Sequence, residues 1–194
     1  KIQHAERDKA FYRLSTDTIH LPAKEQFPGA DRYYATALHE LGHWTGHPSR
    51  LDRDLAHPFG SEGYAREELR AEIASMMLGH ELGIGHDPGQ HAAYVGSWIK
   101  ALREDPLEIF RAASDAEKIQ SHLLGMEHRQ ELAQAEAQQV APIIEASQRL
   151  PEEKALENAD TADPELKNVL ADEARMKALD ARAGALLQAV NASY

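Results

Sequence analysis

Residues 39–43 read H-E-x-x-H, and no other part of the sequence says as much about chemistry. On a helix, His39 and His43 lie one turn apart on the same face, so both imidazoles can reach one ion. Glu40 lies about 100° around the helix from His39, where it can accept a proton from a water molecule instead of binding the metal. The motif therefore predicts two metal ligands and a general base.

The segment around the motif favours a helix from about Asp31 to Thr45. Asp31 is a residue type typical of an N-cap, and Gly46 and Pro48 are typical of a helix end. A mostly apolar stripe that can face a core is formed by Tyr34, Leu38, Leu41 and Thr45. The alternative, which any short motif leaves open, is a helix whose two histidines are packed or solvated.

A catalytic zinc site normally has three protein ligands and an open position for water, so a third ligand is needed. His47 continues the spacing, but it would stand about 12 Å from His39 along a straight helix, too far to share an ion. We therefore look for the third ligand on another element.

A second amphipathic helix is predicted around residues 64–74, with Leu69, Ile73 and either Met76 or Met77 on its buried side. On a neighbouring face, Glu68 is assigned to the metal. Glu72, one turn later, is assigned to accept the other N–H of a ligand histidine. Glu67 is the alternative if the register is shifted by one, and a solvated acidic face is the alternative without a metal.

Three further side chains are candidates for stabilising the oxyanion that forms when water attacks a carbonyl. Arg53 and His57 lie in the loop between the two predicted helices, and Tyr64 lies near the start of the second. The alternatives are an arginine that only braces the loop through ion pairs and a tyrosine that only packs.

Composition narrows the chemistry and the partners. The 194 residues contain no cysteine, which excludes disulfides and thiolate ligands and leaves histidine and carboxylate to bind a metal. The net charge of −11 argues against binding of a phosphate backbone by this chain. Since the sequence has no signal peptide and no apolar run near the length of a membrane span, we expect a cytoplasmic location without membrane contact.

The rest of the chain predicts a mainly α, α+β fold. Residues 11–12 and 18–21 suggest a short hairpin or pair of edge strands, which either borders the cleft and pairs with an extended peptide or forms a structural lid. A core helix is predicted from about Gln90 to Glu104, with Tyr94, Trp98 and Leu102 inside. In the next helix the apolar side is predicted to contain Leu107, Phe110, Ala113, Ile119 and Leu123.

After about residue 126 the composition shifts to Ala, Gln and Glu. One helix is predicted to run to about Arg149 with a bend at Pro142, and another to begin near Asp163. We therefore divide the chain into a domain at 1–128 and a helical extension at 129–194. The extension could be a hairpin against the domain or a partner-binding arm.

Several separated segments resemble one known family. They are HELGHWTGH at 39–47, RLDR at 50–53, EELRAE at 67–72, DTIHLP at 17–22 and Y-x-x-x-W-x-x-x-L at 94–102. In this order they resemble the zincin-like metallopeptidase domain of ArdC-type antirestriction proteins, which also occurs in TraC-type primases and other polyvalent proteins of conjugative plasmids and phages. The resemblance covers about residues 10–128.

The resemblance implies a gluzincin-like site, with two histidines and a glutamate on one Zn²⁺, in a protein that travels with or protects incoming DNA. One hypothesis is a peptidase that uses Glu40 as general base on a protein or peptide substrate. The other is a non-catalytic, metal-stabilised acidic module that binds DNA-handling proteins.

Members of this family usually carry a single-stranded-DNA-binding domain upstream, to which nothing in this sequence corresponds. Because Lys1 is not a methionine, we expect such a domain in a longer protein and no direct nucleic-acid binding by this chain.

Overall fold

The computed structural model describes residues 1–84, 94–146, 177 and 180–192. A small N-terminal sheet precedes a set of packed helices, which confirms the predicted mainly α, α+β class. None of the helices within the described residues is both long enough and apolar enough to cross a membrane.

The sheet has three strands, β1 (Ile2–Ala5), β2 (Phe11–Arg13) and β3 (Thr18–Pro22), in the order β1-β3-β2. β2 and β3 pair antiparallel, with Tyr12 opposite Ile19, so the predicted hairpin is confirmed. β1 pairs parallel with β3 and was not predicted. β2 is therefore an edge strand and β3 the central strand.

Helix α1 (Ala30–Trp44) carries the H-E-x-x-H motif. It ends before Gly46, and the four residues of its predicted inner stripe are all buried. The predicted N-cap is wrong: Gly29 occupies that position in extended conformation, and Asp31 lies in the first turn. An acidic residue there still suits the partial positive charge at the helix start.

Helix α2 (Glu62–Glu81) begins at Ser61, whose hydroxyl accepts a hydrogen bond from the backbone N–H of Tyr64 at 3.2 Å. It packs closely against α1 at Gly42. A Cβ atom at that position would lie 3.1 Å from the Cα of Ala71, so glycine allows a closer approach than a larger residue would. The two motif-bearing helices are thereby held side by side. Met77, rather than the exposed Met76, completes the inner face.

Helix α3 (Val95–Glu104) is not the core helix that was predicted, and the predicted start near Gln90 lies outside the described residues. Of its residues only Ala101 is buried, while Val95 and Ile99 are exposed. Its periodic apolar residues define a face, but the elements packed on α3 cover only part of that face.

Helix α4 (Glu108–Ala146) also turns a different side inward from the one predicted. Leu107, just before it, and Phe110 are exposed, whereas the fully buried positions are Glu108, Ala112, Ala116, Ile119 and Leu123. α4 packs against α2, where the buried Glu108 has a partner, since a guanidinium nitrogen of Arg70 lies 2.7 Å from its carboxylate. Only the end of the predicted stripe, Ile119 and Leu123, is confirmed.

Residues 180–192 form a helix that docks on the N-terminal part of the fold. Ala183, Leu186 and Val190 join the hydrophobic core. The Tyr34 hydroxyl donates to Asp180 at 2.8 Å, and the Ile2 backbone N–H donates to Asn191 at 2.8 Å.

The helix at 180–192, which belongs to the predicted extension, therefore lies against the N-terminal part of the fold. α4 runs through Pro142, and the predicted helix start near Asp163 lies outside the described residues.

Candidate metal centre

The β2–β3 hairpin is fixed to the end of α1 by one arginine. The Arg50 guanidinium stacks 3.8 Å from the Trp44 ring centroid, and its Nε donates to the Trp44 carbonyl at 2.7 Å. Its Nη1 donates to Asp17, which also accepts from the Tyr12 hydroxyl at 2.7 Å. Asp17 occupies the left-handed region at φ 45°, directly before β3. This network holds β2 beside the motif.

The three predicted metal ligands meet between α1 and α2. Their nearest donor atoms lie within 4.8 Å of one another. The Nε2 atoms of His39 and His43 are 3.2 Å apart, and the two Glu68 oxygens lie 3.4 Å and 3.5 Å from them. Both His39 and Glu68 are buried.

Each histidine also contacts a second carboxylate on its other ring nitrogen. His39 Nδ1 lies 3.3 Å from Glu72, as predicted, and His43 Nδ1 lies 3.2 Å from Glu67. From the sequence, Glu67 was expected only as the alternative metal ligand in a shifted helical register, so its contact with His43 was not predicted. The sequence could have indicated this contact, because two ligand histidines each need an acceptor for the N–H that does not face the metal.

This arrangement fits a divalent cation. Carboxylates on both Nδ1 atoms favour the tautomers that carry hydrogen there, which turns the Nε2 lone pairs of His39 and His43 towards Glu68. Two lone pairs and a carboxylate that converge in a buried space repel one another unless positive charge lies between them. Two imidazole nitrogens and one carboxylate oxygen are also a ligand set found in catalytic zinc sites.

The pKa values of the side chains in this cluster also indicate that it favours positive charge. Burial disfavours the charged form of His43, but hydrogen bonds to Glu67 and Glu68 outweigh it and raise the pKa to about 10. The pKa of His39 is also raised against burial, by Glu68 and Glu72. Burial opposes ionisation of Glu68, yet both histidines hold its pKa far below the ordinary value.

Arg53 contacts Glu67 on the side away from the cleft beside the metal centre, and it is not among the residues that line that cleft. Its guanidinium donates twice to Glu67, at 2.7 Å and 3.1 Å, and also to the Gly42 carbonyl and the Thr45 hydroxyl. Burial raises the pKa of Glu67, but His43 and Arg53 together lower it below its ordinary value. These contacts favour the bracing alternative for Arg53, in a chain that runs from Arg53 through Glu67 to His43.

Glu40 is 6% exposed and borders the same cleft. Burial raises its pKa, and His39 and His43 only partly oppose this. The backbone N–H of Tyr12 on β2 donates to its carboxylate. Within the described residues, its Oε2 oxygen has no hydrogen-bond partner. The carboxylate is thus held at one end and has an oxygen available for a proton.

The cleft has a volume of about 600 Å³. Its lining comes from the chain at and just before β2, from the motif and from aromatic side chains elsewhere. These residues include Lys9, Phe11, Tyr12, His39, Glu40, His43, Phe59, Tyr64 and Tyr94. His57 lines it too, with Nε2 3.3 Å from Asp54. The Tyr64 hydroxyl lies 3.3 Å from that of Tyr94, and burial, Tyr94 and Glu68 raise its pKa strongly.

Comparison with known proteins agrees with this geometry. Residues 1–115 match the model of a family described as zincin-like metallopeptidase. A "DNA primase TraC" of Escherichia coli is 78% identical over 141 residues, which are 73% of this chain and 13% of that protein. The chain thus spans only a small part of this relative's length.

The solved structures similar to the chain include two that bear on its metal centre. Both are of the antirestriction protein ArdC from plasmid R388. The Mn(II)-bound form has a TM-score of 0.60 at 44% identity, over 64% of this chain and 46% of that one. The metal-free form has a TM-score of 0.55 at 43% identity, over 62% and 45%. The resemblance predicted from the motifs is confirmed.

Proposed function

Because the chain belongs to the zincin-like metallopeptidase family, we propose that it hydrolyses peptide bonds with one divalent cation held by His39, His43 and Glu68. The convergence of these three groups in a buried space carries the proposal. Zn²⁺ is the proposed ion because it suits this ligand set, and the Mn(II)-bound relative supports a divalent cation. The proposed domain spans residues 1–128, with 129–194 as its helical extension.

A divalent cation bound by these residues would lower the pKa of a water molecule and polarise the carbonyl of the substrate. Glu40 is the proposed general base, because its Oε2 oxygen has no hydrogen-bond partner among the described residues. It takes the proton of the attacking water and later gives it to the leaving amine.

The side chains around the cleft have separate proposed roles. Glu67 and Glu72 orient the two histidines, and Arg53 fixes Glu67. Tyr64 and His57 border the cleft and are the proposed donors to the oxyanion. β2 is held beside Glu40 and supplies the N–H that orients it.

The decisive variant is Glu40→Gln, which keeps the size of the side chain and removes the base. We expect it to bind Zn²⁺ as the wild type does and to lose about 10²-fold to 10⁴-fold in peptide hydrolysis. Metal analysis and a fluorogenic peptide library measure the two effects. Glu117→Gln, an exposed position on α4, is the matched control. Undiminished hydrolysis by Glu40→Gln would contradict the proposed mechanism.

A second candidate function is an acidic module that binds DNA-handling proteins without catalysis. Its support is the net charge of −11 and the similarity to an antirestriction protein. In that case the wild type and Glu40→Gln would inhibit a restriction enzyme equally in a DNA cleavage assay. Inhibition that is lost with Glu40→Gln would reject this candidate.

A further inference from the structure

One side of the cleft carries a partly exposed aromatic surface, which we call the aromatic wall and define as Phe59, Tyr64 and Tyr94. All three side chains line the cleft. The ring centroids of Phe59 and Tyr64 are 5.1 Å apart, and those of Tyr64 and Tyr94 are 5.9 Å apart. Phe59 is 81% exposed, so an apolar group bound against its ring would remove a large apolar area from water.

The exposure of Phe59 is built into an ordered turn. The Ser61 backbone N–H donates to the Pro58 carbonyl at 3.0 Å, and Gly60 has φ 79°. This matches a type II turn with Phe59 at its second position, where the third position requires a positive φ. Ser61 then caps α2, so the turn is joined directly to the start of that helix. The ring is therefore presented to solvent by a defined backbone.

The aromatic wall begins directly at the metal centre. Tyr64 and Glu68 lie one turn apart on α2, and the Tyr64 hydroxyl makes a hydrogen bond to the Glu68 carboxylate. The same hydroxyl contacts that of Tyr94. A group bound near Glu68 would therefore have aromatic rings as its nearest apolar neighbours.

We propose that the aromatic wall is the specificity subsite, which takes an aromatic or large apolar side chain of the peptide next to the bond that is cut. This inference rests on the proposed peptidase function. Aromatic rings gain from contact with other rings beyond the burial of area alone. An acidic side chain would lose hydration there and meet the negative faces of the rings.

The test uses two probes that share a metal-chelating group and differ in one side chain. They are the hydroxamates of N-acetyl-phenylalanine and N-acetyl-glycine, titrated calorimetrically into the Zn²⁺-loaded wild type. We expect the phenylalanine probe to bind about tenfold tighter or more. Phe59→Ala should reduce this ratio by about threefold or more. Phe110→Ala is the matched control, because Phe110 is 70% exposed and does not line the cleft.

The outcomes separate the subsite from the function on which it rests. If both probes bind the wild type equally well, the metal centre stands and the subsite is refuted. A preference for phenylalanine that survives Phe59→Ala also refutes the assignment of the wall. If neither probe binds to protein of verified zinc content, the proposed function fails, and the subsite fails with it.

Discussion

The metal centre and the aromatic wall are adjacent on α2 but are built in opposite ways. At the centre the histidines and glutamates are largely buried, and each histidine nitrogen faces a carboxylate. At the wall Phe59 is held by its turn and stands in solvent. The groups proposed for chemistry are therefore positioned by a network of hydrogen bonds and ion pairs, whereas the surface proposed for recognition is open to solvent. Variants at the centre should therefore affect metal and fold, whereas Phe59→Ala at the wall should affect neither.

The largest effect is expected from His43→Ala, which removes one of three ligands. We expect bound Zn²⁺ to fall from about one ion per chain to under about a tenth, because the remaining two donors cannot hold the ion through purification. Elemental analysis of the purified protein measures this. His80→Ala, at an exposed position on α2, should keep its metal. Full zinc content in His43→Ala would remove His43 from the site.

The next largest effect is the dependence of metal affinity on pH. The pKa of His43 rises from 6.5 to about 10 in the metal-free fold, so a cation must displace its proton. Affinity for Zn²⁺ should therefore increase about tenfold per pH unit across this window for each proton released. Titrations in buffers of different ionisation enthalpy count the protons. Glu67→Gln removes one cause of the shift and should flatten the dependence, and absence of proton release would contradict the assignment.

The same shift fixes how the stability of the metal-free protein responds to pH. Since the folded pKa of His43 lies above its unfolded value, protonation of His43 stabilises the fold fully below about pH 6.5. That contribution is lost as the pH rises through about 10. Melting temperatures of chelator-treated protein should fall across this range, and Zn²⁺ should reduce the fall.

A smaller effect is expected from Arg53→Gln, which leaves every ligand in place. Loss of the support for Glu67 should weaken Zn²⁺ binding by about 10-fold to 100-fold. Competition with a fluorescent chelator measures this, and Arg103→Gln on the exposed side of α3 is the control. The preference between the two hydroxamates should not change, because the wall is untouched. A changed preference with unchanged zinc affinity would place Arg53 in the cleft instead.

The smallest effect is expected from Gly42→Ala, which adds a methyl group where α1 contacts α2. The new methyl group would lie 3.1 Å from the Ala71 backbone, so we expect a loss of about 1–3 kcal/mol in unfolding free energy. Gly96→Ala on α3 meets no atom within 4 Å and should be neutral or stabilising. Denaturant titration compares the two. Equal stability of both variants would mean that the helices can separate without cost.

Local geometry explains why much of the centre could be predicted from sequence. Helical spacing alone places His39 and His43 together, and the same argument led to Glu68 and Glu72 on the second helix. The contact between Glu67 and His43 depends on how closely α1 approaches α2 at Gly42, which spacing within one helix does not contain. The contact of Arg53 with Glu67 depends on the path of a loop, and a loop has no repeating sequence pattern from which that path could be predicted.

The apolar faces were harder to predict, for a related reason. Periodicity shows that α3 and α4 have an apolar side but not whether another element covers it. In α4 the inner position at the first turn is taken by Glu108, paired with Arg70, and the exposed Phe110 could not be told from a core residue. Phe59 lies in a turn without any pattern, so only the structure reveals its exposure.

The docked helix at 180–192 sets a practical limit on dissecting this protein. It is separated in sequence by more than 150 residues from β1 and the start of α1, yet it supplies Leu186 and Val190 to their shared interior. A recombinant fragment cut at residue 128 would uncover that apolar surface and invite aggregation. Transplanting the metal-binding unit onto another scaffold therefore calls for keeping this distant helix.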